Sequence, residues 1–171
     1  MKIKTFRTNC AREYISTTMK SVFQSQSIIF QQSCPYTHEQ NGVAENKHRH
    51  ILETARAMLI SSSVPRIFWA EVVLTAVNLI NITPSSVLAG KTPHECLYSS
   101  PPDYSMLRTF ECICYIFLLN VRTKLSTRSA KCVLLGISSE HKGYCCYDLL
   151  AHHLLISHHV SFVEDSPYLS P

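Results

Sequence analysis

The sequence predicts an α/β chain in two parts: a mixed helix-and-strand region over residues 1–98 and a small all-β barrel over residues 109–165, with a linker at 99–108. Three observations predict it. Apolar residues recur at helical spacing through much of the front part. Ser99-Ser100-Pro101-Pro102-Asp103 then interrupts any regular element. Beyond it the apolar residues fall in short runs divided by turn residues, as in a small barrel.

Taken in order, Lys2 to Arg7 alternates polar and apolar residues, as a half-buried strand does. Glu13 to Gln26 reads as a helix with Tyr14, Met19, Val22 and Phe23 apolar, and Ile28-Ile29-Phe30 as a short strand. A loop broken by Pro35 and Asn41-Gly42 leads into a helix over about Val43 to Ile60. In that helix Ala44, His48, Ile51, Ala55 and Met58 or Leu59 share a core stripe. Glu45, Arg49, Leu52 and Arg56 form the neighbouring ridge, which puts Glu45 at the boundary of core and solvent. Glu45 and Arg49 also have the spacing of an ordinary surface ion pair, worth a few tenths of a kcal/mol.

Past Pro65, an apolar helix runs from about Ile67 to Ile80 and stops before Pro84. Val87-Leu88 is strand-like, and Thr92-Pro93 opens a short helix with Pro at its first position. The strand candidates of the back part are Cys112 to Leu118, Cys132 to Gly136, Tyr144 to Tyr147, Leu154 to Ile156 and Val160 to Val163.

With 171 residues, 46% apolar content and a mean hydropathy of +0.03, the composition is that of a globular chain rather than a disordered one. No apolar run reaches the roughly 20 residues needed to cross a bilayer, and no signal-peptide core opens the chain. An intracellular protein without membrane association is expected. Residues 1–66 hold nine Lys or Arg against four Glu, and residues 67–171 seven basic against eight acidic. A basic front half suits either a nucleic-acid-facing surface or a merely solvated one.

The eight Cys contain no Cys-x-x-Cys spacing, and buried reduced thiols are expected rather than zinc ligands or disulfides. His152, His153, His158 and His159 fall in an alternating region and read as exposed strand positions.

The segment Cys34-Pro35-Tyr36-Thr37 through Asn41-Gly42-Val43-Ala44-Glu45 to Arg49 resembles the third-carboxylate region of Copia-type retrotransposon integrases. The resemblance runs on in order. It takes in Arg7 with Glu13-Tyr14, Phe68-Trp69-Ala70-Glu71 to Asn81, Gly90-Lys91-Thr92-Pro93, Lys131 to Gly136, and Lys142-Gly143-Tyr144 with Tyr147-Asp148.

It implies the C-terminal part of a ribonuclease-H-like integrase core over 1–98 and the SH3-like barrel of a Pol polyprotein over 109–165. It also implies an Asp, Asp, Glu triad holding Mg²⁺ or Mn²⁺ for phosphoryl transfer on DNA, multimeric action and a nuclear location.

The third carboxylate falls on Glu45. The second falls on Asn9, 36 positions earlier, followed by Cys10-Ala11-Arg12 where the family has Asn-Gly-Gly. The first would precede this sequence, and no Asp occurs in residues 1–102.

The expectation is therefore a degenerate, catalytically inactive integrase fragment in which Glu45 is a vestigial metal ligand and Mg²⁺ or Mn²⁺ is not productively bound. Non-specific DNA contact through Lys47, Arg49 and His50 is the surviving candidate activity. The alternative is a domesticated DNA- or chromatin-binding module, or a protein-interaction module.

Overall fold

The computed structural model describes residues 2–9, 12–34, 38–62, 64–118, 127–138 and 141–167. The chain forms two compact units, Met1–His50 and Ile51–Pro171.

In the first unit, β1 (Thr5–Thr8) and β2 (Ile29–Gln32) pair in parallel, with Phe6 opposite Phe30 and Arg7 opposite Gln31. The Arg7 guanidinium donates to the Gln31 Oε1 at 2.9 and 3.2 Å, which fixes that register. The predicted single helix over Glu13 to Gln26 is two: α1 (Arg12–Ile15) and α2 (Thr17–Ser25). The break falls at Ser16, whose hydroxyl accepts from the Met19 N–H and caps α2. The unit is held by an aromatic cluster. Phe23 of α2 lies 5.0 Å from Phe6 and 5.2 Å from Phe30, and Tyr14 lies 5.6 Å from Phe6, centroid to centroid.

α3 (Gly42–Ser61) begins in this unit and ends in the second. In the second unit α4 covers Trp69–Ile82, preceded by a 3₁₀ turn at Arg66–Phe68. Val87-Leu88, expected as strand-like, lies in a second 3₁₀ turn. That turn closes on Ala89 at φ 53° and Gly90 at φ 83°, which no strand accommodates. α5 (Pro93–Tyr98) opens with a reciprocal cap. The Thr92 hydroxyl accepts from the Glu95 N–H at 3.0 Å, and the Glu95 carboxylate accepts from the Thr92 N–H at 2.7 Å.

The five predicted strands are present as β3 (Cys112–Phe117), β4 (Ser129–Ile137), β5 (Tyr144–Asp148), β6 (His153–Ser157) and β7 (Val160–Pro167). They form one antiparallel sheet in the order β6-β5-β4-β3-β7. Consecutive strands β6 and β7 are its two edges, two residues apart in sequence, so the sheet curls back on itself at that corner. The barrel stays open along that seam among the described residues, because no β6–β7 ladder joins it.

The sheet's inner face buries Cys112, Cys114, Ile116, Cys132, Leu134, Tyr144 and Cys146. Its outer face carries Val133 and Leu135, which pack with Val64 and Phe68. Phe68 meets Tyr147 edge-on at 4.4 Å. Helix α4 adds Val72 and Ala76, both fully buried with Ala55 of α3.

α4 packs on β4, so the helices from Ile51 onward associate with the sheet. By length and composition only, the stretch Arg66–Leu88, whose 18-residue window has a mean hydropathy of 1.4, is long and apolar enough to cross a membrane. Its regular helix is only α4, 14 residues, or about 21 Å at 1.5 Å per residue. That is short of a hydrocarbon core of about 30 Å.

Candidate functional site

The parallel pairing of β1 and β2 brings their C-terminal ends side by side, and the candidate site is built there. Asn9 follows β1 directly and is exposed, with its Oδ1 3.4 Å from the Thr8 hydroxyl. The Ser33 N–H, just past β2, donates to the Thr8 carbonyl at 3.0 Å and extends the ladder by one residue.

From this point the chain is tied to the start of α3. The Asn41 Nδ2 donates to the Ser33 Oγ at 3.1 Å, and the Cys34 N–H donates to the Gln40 Oε1 at 3.0 Å. Neither tie was read from sequence, where Asn41-Gly42 signalled only a turn. The Asx-type side chain immediately before an apolar-periodic helix was the available signal. Cys10, Ala11 and Pro35-Tyr36-Thr37, all part of the resemblance, lie outside the described residues.

Glu45 sits in the first turn of α3, where the helix dipole favours a carboxylate. It is exposed rather than at a core boundary, and Ala44 and His48 of the expected core stripe are exposed too. The physical reason is a lack of packing partners: residues 43–50 are all exposed, side chains of α3 become half-buried from Ile51, and Ala55 is its one buried residue.

Arg49 does not pair with Glu45. Its Nη2 donates to the Asn46 Oδ1 at 3.0 Å, one turn back. Lys47, Arg49 and His50 are all exposed. At about 100° per residue, Glu45 and Arg49 share one side of α3, while Lys47 and His50 share another. The structure therefore divides the three candidate DNA contacts between two helix faces.

A pair of hard divalent ions needs several anionic oxygens. Here the donors are one carboxylate and one neutral amide. Among the described residues no group of three or more His, Cys, Asp or Glu could hold a metal ion.

Among the described residues the thiols form no ligand set. Cys34 and Cys96 are exposed, whereas Cys112, Cys114, Cys132 and Cys146 are buried. Burial pushes the Cys112 thiol up to about 11 and the Cys132 thiol to about 12. Cys146 is raised further, first by its hydrogen bond with Cys114 and then by burial. His152, His153, His158 and His159 are exposed at the ends of β6 and β7.

A curled five-stranded antiparallel sheet behind a helical pair defines the class of module that closes this chain: the retroviral polymerase SH3-like domain family matches residues 112–170. Nearly the whole chain is similar to one stretch of plant transposon proteins. It is 36% identical over 165 residues to the retrovirus-related Pol polyprotein from transposon RE1 of Arabidopsis thaliana, covering 96% of this chain and 11% of that protein. It is 36% identical over 154 residues to the counterpart from transposon RE2 of the same plant, covering 90% of this chain and 10% of that one.

Among solved structures, a simian T-cell lymphotropic virus intasome in complex with PP2A regulatory subunit B56 gamma contains a similar chain. Its TM-score is 0.49 at 17% identity, over 84% of this chain and 50% of that one. The similarity to these retrovirus-related Pol polyproteins runs over nearly the whole chain, which spans about a tenth of the length of the curated relatives it matches.

Proposed function

We propose that this chain is the C-terminal part of a ribonuclease-H-like integrase core (1–98), a linker (99–108) and an SH3-like module (109–165), and that it binds DNA without joining it. The observation that carries this reading is Asn9. A neutral amide stands at the C-terminal end of β1, where the family resemblance calls for the second carboxylate. With a neutral amide at Asn9, the site lacks a negative charge that a shared pair of divalent ions needs, so Mg²⁺ or Mn²⁺ is not held productively.

DNA contact does not depend on that charge. Lys47, Arg49 and His50 are solvated side chains on the first turns of α3, suited to phosphate contacts that carry no sequence preference. The reading carries with it a nuclear location and action as a multimer, by resemblance to integrases.

The test has two arms. The purified chain is incubated with a labelled duplex carrying transposon-end sequence and Mg²⁺ or Mn²⁺; joined products that require the metal and Glu45 would overturn the inactive reading. In the second arm, binding to an unrelated duplex is followed against salt concentration. Arg49→Glu is expected to weaken it and flatten the salt dependence by about one to two phosphate contacts. Binding unchanged in Arg49→Glu and Lys47→Glu alike would remove α3 from the interface.

A further inference from the structure

A groove of about 730 Å³ lies between the end of α3 and the start of α4. Leu52, Leu59, Ile60, Trp69 and Val73 line it. Trp69 is 63% exposed and Ile60 78%, so large apolar surfaces stand open to water there.

Two cations share the groove, Arg56 from α3 and Arg66 from the turn before α4. Neither guanidinium has a hydrogen bond or ion pair among the described residues, and no acidic residue lines the groove. A further observation is independent of charge. The Ser62 Oγ, also in the lining, is buried without a hydrogen-bond partner among the described residues. Such groups are found paired in finished interiors.

We infer that this groove is a docking site for an acidic amphipathic helix of a partner protein. The shape is that of a slot between two helices, which takes the apolar face of a third. The two unpaired guanidinium groups call for carboxylates on the flanks of that helix. The orphaned hydroxyl calls for one polar group near its seat. Trp and Arg are the residues that concentrate binding energy at protein interfaces.

Duplex DNA fits less well, because phosphate contact leaves the apolar lining exposed. A second copy of this chain brings a net charge of +4 to a cationic groove. The inference goes beyond the DNA-binding reading, and its residues are distinct from Lys47, Arg49 and His50.

Trp69 is the only tryptophan and lies in the groove, so its emission reports occupancy. The probes are a capped helical peptide with Leu at i, i+4 and i+7 and Glu on its flanks, the same peptide with Lys in place of Glu, and a DNA duplex. The acidic peptide is expected to shift Trp69 emission to the blue, saturably, while the Lys peptide leaves it unchanged. The double variant Arg56→Glu/Arg66→Glu should weaken the acidic peptide about tenfold or more and admit the Lys peptide. Both arginines are exposed, so unchanged far-UV circular dichroism is expected of the variant.

Several outcomes would overturn the proposal. They are no saturable shift with the acidic peptide, equal binding of both peptides, a shift produced by the duplex and lost in the double variant, or a shift that follows protein concentration alone.

Discussion

The Thr75 hydroxyl on α4 donates a 2.8 Å hydrogen bond to the Leu135 carbonyl on β4, and the next residue along the strand is Gly136. This contact lets the helix lie directly on the sheet, and it works only because position 136 has no side chain. A Cβ there would collide with the Thr75 Oγ1, and Gly136 holds φ at +141°, a conformation other residues adopt with strain. Gly136→Ala is expected to destabilise the second unit by about 2–4 kcal/mol. Thr75→Ala should cost about 1 kcal/mol for the lost hydrogen bond. The double variant should cost less than the sum, since removing the hydroxyl relieves the collision and leaves only the backbone strain. Urea titrations of the four proteins measure the coupling, and strict additivity would mean that helix and strand do not meet there.

Alkylation kinetics should divide the thiols into two groups. Cys34 and Cys96 are exposed and should be modified at mildly alkaline pH. Cys112, Cys114, Cys132 and Cys146 lie in the sheet's core and should be modified only on unfolding. The same burial makes stability depend on pH. Folding raises the Cys112 and Cys132 thiols from 9.0 to about 11 and about 12, so the folded chain keeps protons that the unfolded chain has lost. The contribution is fully present below about pH 9 and is lost as pH rises toward 11 and 12. An alkaline unfolding midpoint that stayed put in Cys132→Ala would argue against this origin.

The elements legible in the sequence were those whose signal is local. Pro93 after Thr92 marked the start of α5, and apolar runs between turns marked all five strands of the sheet. The break at Ser16 was written locally as well, in a capping residue three positions before Met19, but helical periodicity on both sides masked it. The exposure of Ala44, His48 and Glu45 could not be read at all. Ala44 and His48 have the spacing of a core stripe and Glu45 lies on the ridge at its edge, and only the absence of a packing partner before Ile51 sets them in solvent. In the candidate site Asn9 and Glu45 rest on the resemblance, and the Ser33–Asn41 tie was missed because Asn41 reads as a helix-start residue without naming Ser33 as its partner. The groove at Trp69 and Arg66 was invisible for the same reason, because it belongs to the crossing of two helices.

The reciprocal cap at α5 should be worth more than its six residues suggest. Thr92 is 1% exposed and joins the helix start to its surroundings through both its hydroxyl and its N–H. Thr92→Ala is expected to cost about 1–2 kcal/mol, with Thr92→Ser recovering most of it. Glu95 is held below its ordinary 4.5, first by the Thr92 N–H and then by the Thr92 hydroxyl. A depressed carboxyl stabilises above its unfolded value and loses that contribution as pH falls through the folded one. The difference in urea midpoint between the wild-type chain and Glu95→Gln should therefore shrink as pH drops below about 4.5; a difference independent of pH would assign the effect to shape rather than charge.

The tie between Asn41 and Ser33 governs how firmly the candidate DNA contacts are presented. The first turns of α3 have no buried residue to hold them, so the 3.1 Å bond from Asn41 Nδ2 to Ser33 Oγ, with the Cys34-to-Gln40 bond beside it, anchors the helix start to the end of β2. Removing one such bond costs about 1 kcal/mol, enough to raise local opening about fivefold, since 1.4 kcal/mol is tenfold. In Asn41→Ala and in Ser33→Ala, amide hydrogen exchange over residues 45–50 should accelerate by about that factor, while exchange in β3 to β7 stays unchanged. DNA affinity should fall less than in Arg49→Glu, because the side chains remain and only their pre-ordering is lost. Equal exchange in all three proteins would mean that the first turns of α3 are held by something other than this tie.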